Sequence, residues 1–336
     1  MITIKEALTK KEMKDYVMFS FELYKNNPYW IPPIIAEELE TFDKTKNPAL
    51  QTAEAHFYLA YKDNKIVGKI AAIINWEEVN LLGKRKARFG WFDAIDDIEV
   101  TKALLDKVEE LGRKHNMDHM EGPMGFSNLD KVGILSEGFD QMGNMITWYS
   151  LPYYITHFEQ LGFIKEKEYT ESDFSFNGIN PEPFQKASEL IKKRYELRSL
   201  NFTKTKDIMP YVDKMFDLFN ETYAKLQSFV PINDIQKAYF KKKYISFINP
   251  EFIKFIVDKN DNMIAFAIVM PGFAQALKKA NGKLFPFGFY HLLQARKHSK
   301  EVVFYLIGIT PEYQSKGVTA IVFDEYYKVC QAKGIE

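Results

Sequence analysis

The sequence is poor in cysteine and has no long apolar run. Cys330 is the single cysteine among 336 residues, so an internal disulfide is excluded. Its place beside the apolar stripe of a predicted helix suits a reducing compartment. The amino terminus lacks the charged and apolar regions of a signal peptide, and no apolar run approaches the roughly 20 residues of a membrane-spanning helix. We therefore expect a cytoplasmic protein without a transmembrane segment.

A net charge is also missing. Lys+Arg and Asp+Glu number 45 each, so no global field would attract nucleic acid or an anionic membrane, although local patches are compatible with this balance. We expect no nucleic-acid partner. The sequence contains no Walker loop, nucleophile elbow or zinc-binding cysteine pair. His115 and His119 are four residues apart, but Asn116 and Asp118 interrupt the helix that would align them, so no metal site is expected.

Apolar residues are abundant and sufficient for two cores. The hydrophobic content is 46% and the aromatic content 15%, and a chain of this length predicts two domains. Residues 177–183 contain two prolines and one glycine and form the best linker candidate. We predict domains at 1–177 and 178–336, with a strand over 169–176 closing the first. The order of predicted elements repeats after the linker, which indicates an internal duplication.

One stretch of the second half combines a strand, a turn and a helix. Residues 302–310 form an apolar run rich in β-branched and aromatic residues, which predicts a strand buried on both faces. A helix is predicted from Val318 to Lys333, with Tyr326 on its apolar stripe and Asp324 facing away. A strand that leads through a tight turn to a helix amino terminus predicts an anion site, because unpaired N–H groups and the positive dipole end coincide there.

The turn carries a family resemblance. The pattern Ile309-x-Pro311-x-x-Gln314-x-x-Gly317-x-Thr319 resembles the acyl-CoA pyrophosphate loop of the GNAT N-acyltransferase superfamily, except that glycine or alanine is usual where Thr319 stands. The alternative is a turn that needs Gln-x-x-Gly only for its geometry.

The resemblance implies a co-substrate, acetyl-CoA or another acyl-CoA, and a way to hold it. The edge backbone of Ile307 and Ile309 would pair with the pantetheine amides, and an N–H group there would stabilise the oxyanion. Lys316 would add positive charge. The pyrophosphate would be held by the backbone N–H groups of Gln314, Ser315, Lys316, Gly317, Val318 and Thr319.

The resemblance extends to both halves of the chain. It implies a mixed α/β (α+β) fold with two consecutive GNAT-like domains, each a mostly antiparallel mixed sheet flanked by helices. In the first half, Phe158 stands where many members have a tyrosine that acts as general acid. The acidic residues Asp93, Asp96, Asp97 and Glu99 lie where phosphates would need donors, so we expect this half not to bind acyl-CoA in the usual manner. The second domain looks truncated, and we expect the natural chain to continue.

The implied reaction is acyl transfer from CoA to a small amine or amino-acid-like acceptor by direct attack on the thioester. A base and an acid are needed, and Tyr305, Glu301 and His291 are candidates, although such residues more often have a structural or solvated role. Two alternatives stay open, a non-catalytic acyl-CoA or metabolite binder and an aminoacyl-tRNA-dependent transferase. The charge balance argues against the second. A homodimer is also left open.

Residues 271–300 form an insertion between a predicted hairpin and the strand that follows it. The sequence predicts two short amphipathic helices joined by a loop that contains Asn281 and Gly282. A basic face beside phenylalanine and leucine would cover an acyl chain or contact a membrane surface. The other interpretation is a solvated lid or crossover.

Overall fold

A computed structural model of the protein describes residues 1–127, 129–226, 228–245 and 247–336. The chain forms two compact units. The first comprises Met1–Tyr169 and Ala274–Leu292, and the second comprises Thr170–Phe273 and Leu293–Glu336. Part of the insertion thus packs with the first unit. The division of the duplicated sequence between residues 177 and 178 stays a prediction.

The first unit is built on a five-stranded sheet in which the strands follow their order in the chain. The first four strands pair in antiparallel fashion, and the fifth pairs in parallel with the fourth. The strands are β1 (Ile2–Glu6), β2 (Ala53–Lys62), β3 (Lys65–Asn75), β4 (Lys86–Ala94) and β5 (His119–Glu121). The helices of this unit are α1 (Lys10–Leu23), α2 (Ile35–Thr41), α3 (Trp76–Leu82), α4 (Ile98–Lys114), α5 (Tyr153–Gln160) and α10 (Ala274–Ala280).

Both faces of this sheet are covered, because successive residues of β3 alternate between two apolar clusters. Ala72 and Ile74 belong to the cluster that includes Leu104 of α4, whereas Ala71 and Ile73 belong to the cluster on the α1 side. This alternation follows from the two-residue repeat of a strand. Packing on both faces of the sheet fixes the position of β4. This strand leads into the segment that contains the acidic residues Asp93, Asp96, Asp97 and Glu99.

The second unit has a four-stranded antiparallel sheet in the order β6-β7-β8-β9. Its strands are β6 (Arg198–Leu200), β7 (Ile253–Val257), β8 (Met263–Pro271) and β9 (Val302–Ile309). Its helices are α6 (Glu182–Tyr195), α7 (Thr205–Ile208), α8 (Val212–Tyr223), α9 (Asp234–Phe240) and α12 (Val318–Lys333), and α11 (Gly288–His298) runs from the first unit into the second. The central strands β7 and β8 are almost entirely buried.

Three details differ from the sequence predictions. Residues 169–176 form no strand and have no regular secondary structure. The strand β9 is an edge of the sheet and is not buried on both faces: Phe304 and Ile307 are 37% and 43% exposed. Asp324 was expected to face solvent but is 2% exposed and accepts a hydrogen bond from Lys328. A second helix, α6, packs on α12, so more of the α12 surface is covered than one apolar stripe implies.

The helices of the described residues are all too short or too polar to cross a bilayer.

Candidate functional site

The strand β9 presents one side of its backbone away from the sheet. It pairs only with β8 in the described part of the chain, and a bulge interrupts the register where Leu306 faces Ile268 and Phe304 faces Val269. Tyr305 is the extra residue in this bulge. A bulge disrupts the ladder locally and re-aims side chains, which explains why the exposed residues Phe304 and Ile307 are three positions apart rather than two.

The outward carbonyl groups near the end of β9 are bonded by two side chains. The hydroxyl of Tyr223, the last residue of α8, donates to the carbonyl oxygen of Ile307 over 3.1 Å. The side-chain amide of Gln314 donates to the carbonyl oxygen of Ile309 over 3.1 Å. A carbonyl oxygen has a second lone pair, so both groups can accept a further bond. Gln314 therefore stabilises the turn through its side chain. This is the role it has in the alternative interpretation of the motif, in which Gln-x-x-Gly is needed only for the shape of the turn.

Close approach of α8 to β9 depends on Gly308. A Cβ atom at this position would lie 2.2 Å from the Phe266 ring and 2.8 Å from the Thr222 hydroxyl, so no larger residue fits there without a shift. Glycine in a strand often marks such an approach. The contact brings the end of α8, and with it Tyr223, to the backbone of Ile307.

The turn after β9 leaves the amino terminus of α12 without a side-chain cap. Gly317 is the N-cap residue with a φ of +77°, and no side chain bonds the first turn. A Cβ atom on Gly317 would lie 2.8 Å from Ile191 of α6 and would occupy a strained backbone conformation. The first turn contains no acidic residue. Val318 is buried, whereas Ser315 and Thr319 are exposed, so the exposed side of this helix end can receive an anion.

Two aromatic rings hold the ammonium group of Lys316 beside this helix end. It lies 4.2 Å from the ring centre of Tyr313 and 5.2 Å from that of Tyr195. Such cation–π contacts position a charge without neutralising it. The backbone N–H groups of Gln314 and Lys316, two of the predicted pyrophosphate donors, instead donate to the carbonyl oxygens of Pro311 and Tyr313. The turn therefore combines the start of α12 with one held positive charge.

The three predicted catalytic candidates are divided between the units. Tyr305 lies in the β9 bulge and Glu301 immediately precedes this strand, both in the second unit. His291 lies in α11 within the first unit, in edge-to-face contact with Tyr290. Glu301 is exposed. Neither unit brings all three together, and their catalytic roles stay predictions.

Tyr223 is a candidate that the sequence did not single out. Its ring stacks on Phe219 with the centroids 4.3 Å apart. Burial raises the pKa of its phenol. The hydroxyl therefore stays protonated at neutral pH and can donate a proton or a hydrogen bond at the outer edge of β9. The helical pattern around Tyr223 gave no signal that it would meet a strand 84 residues away.

In the first unit, the corresponding helix end is occupied by protein groups. Asp97 caps α4, accepting a hydrogen bond from the backbone of Glu99 over 3.1 Å and one from Lys62 over 2.8 Å. The bond from Lys62 is the main cause that lowers the pKa of the Asp97 carboxyl. An ionised carboxylate at this position repels phosphate. Phe158 is buried and its ring stacks on Phe89, so it belongs to the core.

The first unit has a polar cluster of its own around Asp93. The Asp93 carboxylate accepts hydrogen bonds from Ser20 over 2.6 Å, from Tyr24 over 2.8 Å and from Tyr154 over 3.1 Å, and Lys69 lies 3.6 Å away. Burial is the main cause that raises the pKa of both tyrosines, so their hydroxyls remain donors. Three hydroxyl donors thus satisfy the oxygen atoms of the buried Asp93 side chain.

A cleft with aromatic walls opens over this cluster. Its free volume is about 70 Å³, and Trp30, Trp91 and Trp148 line it together with Lys131. Trp91 lies in the β4 bulge with a φ of +44°, a strained conformation for a bulky residue. Burial lowers the pKa of the Lys131 ammonium. The aromatic walls favour contact with an apolar group.

Within the described residues, no group of three or more His, Cys, Asp or Glu side chains could hold a metal ion.

No family model matches the sequence. Two curated proteins are similar over most of their length. Protein YghO of Escherichia coli is 27% identical over 326 residues, which cover 95% of this chain and 81% of that protein. A bacterial ceramide synthase of Caulobacter vibrioides is 24% identical over 312 residues, covering 91% of this chain and 80% of that protein.

Two solved structures have a similar fold. A tandem GNAT protein from the clavulanic acid biosynthesis pathway matches with a TM-score of 0.50 and 10% identity, over 99% of this chain and 87% of that one. The GCN5-related glucosamine N-acetyltransferase region of a fungal multi-domain GH3 β-N-acetylglucosaminidase matches with a TM-score of 0.51 and 10% identity, over 100% of this chain and 34% of that one. These matches confirm the predicted mixed α/β fold in tandem.

Proposed function

Because the chain has the tandem GNAT fold, we propose that it is an acyl-CoA-dependent N-acyltransferase whose second unit binds the acyl-CoA. The amino terminus of α12 carries this proposal. It has no side-chain cap and no acid in its first turn, and Lys316 is held beside it. The equivalent helix end of the first unit is capped by Asp97. A pyrophosphate is therefore favoured at the second unit and disfavoured at the first.

The outer edge of β9 would then hold the rest of the co-substrate. Its backbone is not covered by another strand of the described residues, and peptide-like amides can pair with such an edge. The pantetheine arm has this chemistry. The Tyr223 hydroxyl at the Ile307 carbonyl would lie beside the arm.

In the proposed reaction, the acceptor nitrogen is the nucleophile. The neutral amine attacks the thioester carbonyl, the new C–N bond forms, and the C–S bond breaks. The amine loses a proton and the departing thiolate gains one. Tyr223 is the donor that we assign to the thiolate, because burial raises the pKa of its phenol and keeps it protonated.

The acceptor class is proposed from a relative. The Caulobacter protein that is 24% identical over 91% of this chain is a ceramide synthase, and a ceramide is the amide of a long-chain amino alcohol. We therefore extend the acceptor from a small amine or amino acid to an amine that carries a long alkyl chain.

The test is a turnover measurement with a panel of amines. The protein is incubated with acetyl-CoA or decanoyl-CoA and with an amino-acid mixture, ethanolamine or a long-chain 2-amino-1,3-diol. Free CoA is followed with a thiol reagent and the amide by mass spectrometry. Cys330 adds little background because it is buried, and burial raises the pKa of its thiol to about 11. Amide formation that requires both substrates supports the proposal.

A second candidate is a non-catalytic acyl-CoA binder. It is favoured by the bonds that Tyr223 and Gln314 make to the carbonyl groups of β9, which give both side chains a structural role. A binder would take up acyl-CoA without releasing CoA with any amine of the panel. Failure to bind acyl-CoA at all contradicts both candidates.

A further inference from the structure

The insertion contains the most strongly biased charge distribution of the sequence. No Asp or Glu occurs from Gly272 to Lys300, although the chain as a whole is neutral. The basic residues of this stretch are Lys278, Lys279, Lys283, Arg296, Lys297 and Lys300. An acid-free basic segment within a neutral protein marks a local surface for a negatively charged partner.

The same segment exposes large aromatic side chains at one place. We call residues 283–290 the aromatic loop, which leads from α10 into the start of α11 in the first unit. Phe285 is 76% exposed, Phe287 71%, Phe289 49% and Tyr290 58%. The rings of Phe285 and Phe289 stack with their centroids 6.4 Å apart. Contiguous exposed apolar groups of this kind mark an interaction site, whereas single ones are ordinary.

The loop is anchored to the first unit rather than loosely attached. The backbone N–H of Ile35 donates to the carbonyl oxygen of Gly282 over 2.9 Å. Gly282 has a φ of +78°, and a Cβ atom there would lie 2.7 Å from the Phe21 ring. A Cβ atom on Gly288 would lie 1.9 Å from the carbonyl oxygen of Lys283. Both glycines therefore lie at close contacts that a side chain would disrupt.

The nearby lysines have no acidic partners of their own. Lys278 and Lys279 lie in the last turn of α10, and Lys283 begins the aromatic loop. None of the three forms an ion pair with another residue that the structure describes. Their charges are thus available to a partner outside this chain.

We propose that the aromatic loop and these three lysines dock the protein on the surface of an anionic lipid bilayer. Aromatic rings favour the boundary between headgroups and acyl chains, and each lysine near anionic headgroups adds attraction. A second copy of the chain would bring the same positive charge to the same surface, which opposes self-association through it. The proposal does not depend on acyl transfer, because docking needs neither acyl-CoA nor an acceptor.

The experiment is flotation of the protein with two kinds of vesicle. One contains phosphatidylcholine only, and the other contains about 30 mol% phosphatidylglycerol. Two triple variants test the two parts of the surface: Phe285→Ser, Phe287→Ser and Phe289→Ser in one, and Lys278→Gln, Lys279→Gln and Lys283→Gln in the other. All six residues lie outside the proposed acyl-CoA site.

Matched controls change exposed residues of the same unit. The apolar control replaces Leu8, Leu81 and Ile164 by serine; these residues are 79%, 67% and 86% exposed. The lysine control replaces Lys10, Lys11 and Lys14, all exposed, by glutamine. Circular dichroism confirms that each variant is folded.

The proposal predicts binding to the anionic vesicles that weakens at least about tenfold in either test variant and not in the controls. Binding by the wild type should also fall when salt is raised, since the lysine contribution is screened. No binding to anionic vesicles, or equal binding by all variants, overturns the proposal. A third outcome also overturns the proposal: the wild type is a dimer, the phenylalanine variant is a monomer, and neither protein binds vesicles. The aromatic loop would then be a contact between two copies of the chain.

Discussion

The hydroxyl of Tyr223 lies 3.1 Å from the carbonyl oxygen of Ile307 and donates a hydrogen bond to it. This bond joins the end of α8 to the outer edge of β9 across 84 residues of sequence. It places a protonated phenol where the proposed pantetheine arm would run. Gly308 permits the contact, because any side chain there would collide with Phe266 and Thr222.

Replacing Tyr223 by phenylalanine removes only the hydroxyl. If this group protonates the departing thiolate, kcat should fall about 100-fold or more, as is typical of a lost general acid. The dissociation constant of acyl-CoA should change much less. Steady-state kinetics and calorimetry separate the two quantities, and Tyr211→Phe in the same unit is the control. An unchanged kcat would assign Tyr223 a purely structural role.

The free energy of unfolding should depend on pH through Glu325. Burial by itself would raise the pKa of this carboxyl, but hydrogen bonds from Lys192 and Asn201 outweigh it and lower the pKa from 4.5 to about 2. A carboxyl whose pKa is lowered by folding stabilises the protein above its unfolded pKa. That stabilisation is lost as the pH falls from about 4.5 to about 2.

The measurement is urea unfolding of the wild type and Glu325→Gln at several pH values. At pH 7 the wild type should be more stable by about 1.5–3 kcal/mol, because the ionised carboxylate accepts hydrogen bonds from Lys192 and Asn201. The difference should shrink towards pH 3. A difference that is constant across this range would show that the ionised carboxylate does not contribute.

The carboxylate of Glu78 holds two buried cations in the first unit. It lies 3.1 Å from Lys86 and 2.8 Å from Arg88, and all three side chains are at most 2% exposed. Glu78→Gln leaves both cations without this charge, so we expect a loss of about 3–5 kcal/mol in the free energy of unfolding. Glu110→Gln, which removes an exposed partner of Lys107, should cost less than about 1 kcal/mol. Equal effects in thermal or urea unfolding would contradict a buried ion network.

Local patterns in the sequence predicted much of the fold. In the sequence, Asp63 and Asn64 form a short polar turn between two apolar runs, a pattern typical of a hairpin, and in the structure β2 ends at Lys62 and β3 begins at Lys65. The helix predicted from Val318 to Lys333 has these bounds in the structure. The left-handed glycine at the start of this helix, Gly317, was found through the motif. These features depend on neighbouring residues, which sequence patterns report directly.

The missed features depend on contacts between distant residues. The apolar run of β9 resembles that of a central strand, because sequence does not tell which strand forms the edge of a sheet. Tyr223 lies on an ordinary amphipathic helix, and only tertiary packing places it at Ile307. Asp324 is buried because α6 covers a second side of α12. The packing of Ala274–Leu292 with the first unit likewise depends on contacts between residues that are far apart in the sequence.

The most direct test of the account is calorimetric titration of acetyl-CoA and decanoyl-CoA into the wild type, Thr319→Glu and Thr319→Gln. Thr319 is exposed in the first turn of α12, so glutamate there puts a negative charge beside the proposed pyrophosphate position. An acid in the first turn favours the helix, so the variant should stay folded. We predict that Thr319→Glu weakens binding at least about tenfold while Thr319→Gln binds like the wild type. Equal binding by all three proteins, or no binding by the wild type, would contradict the acyl-CoA site at α12.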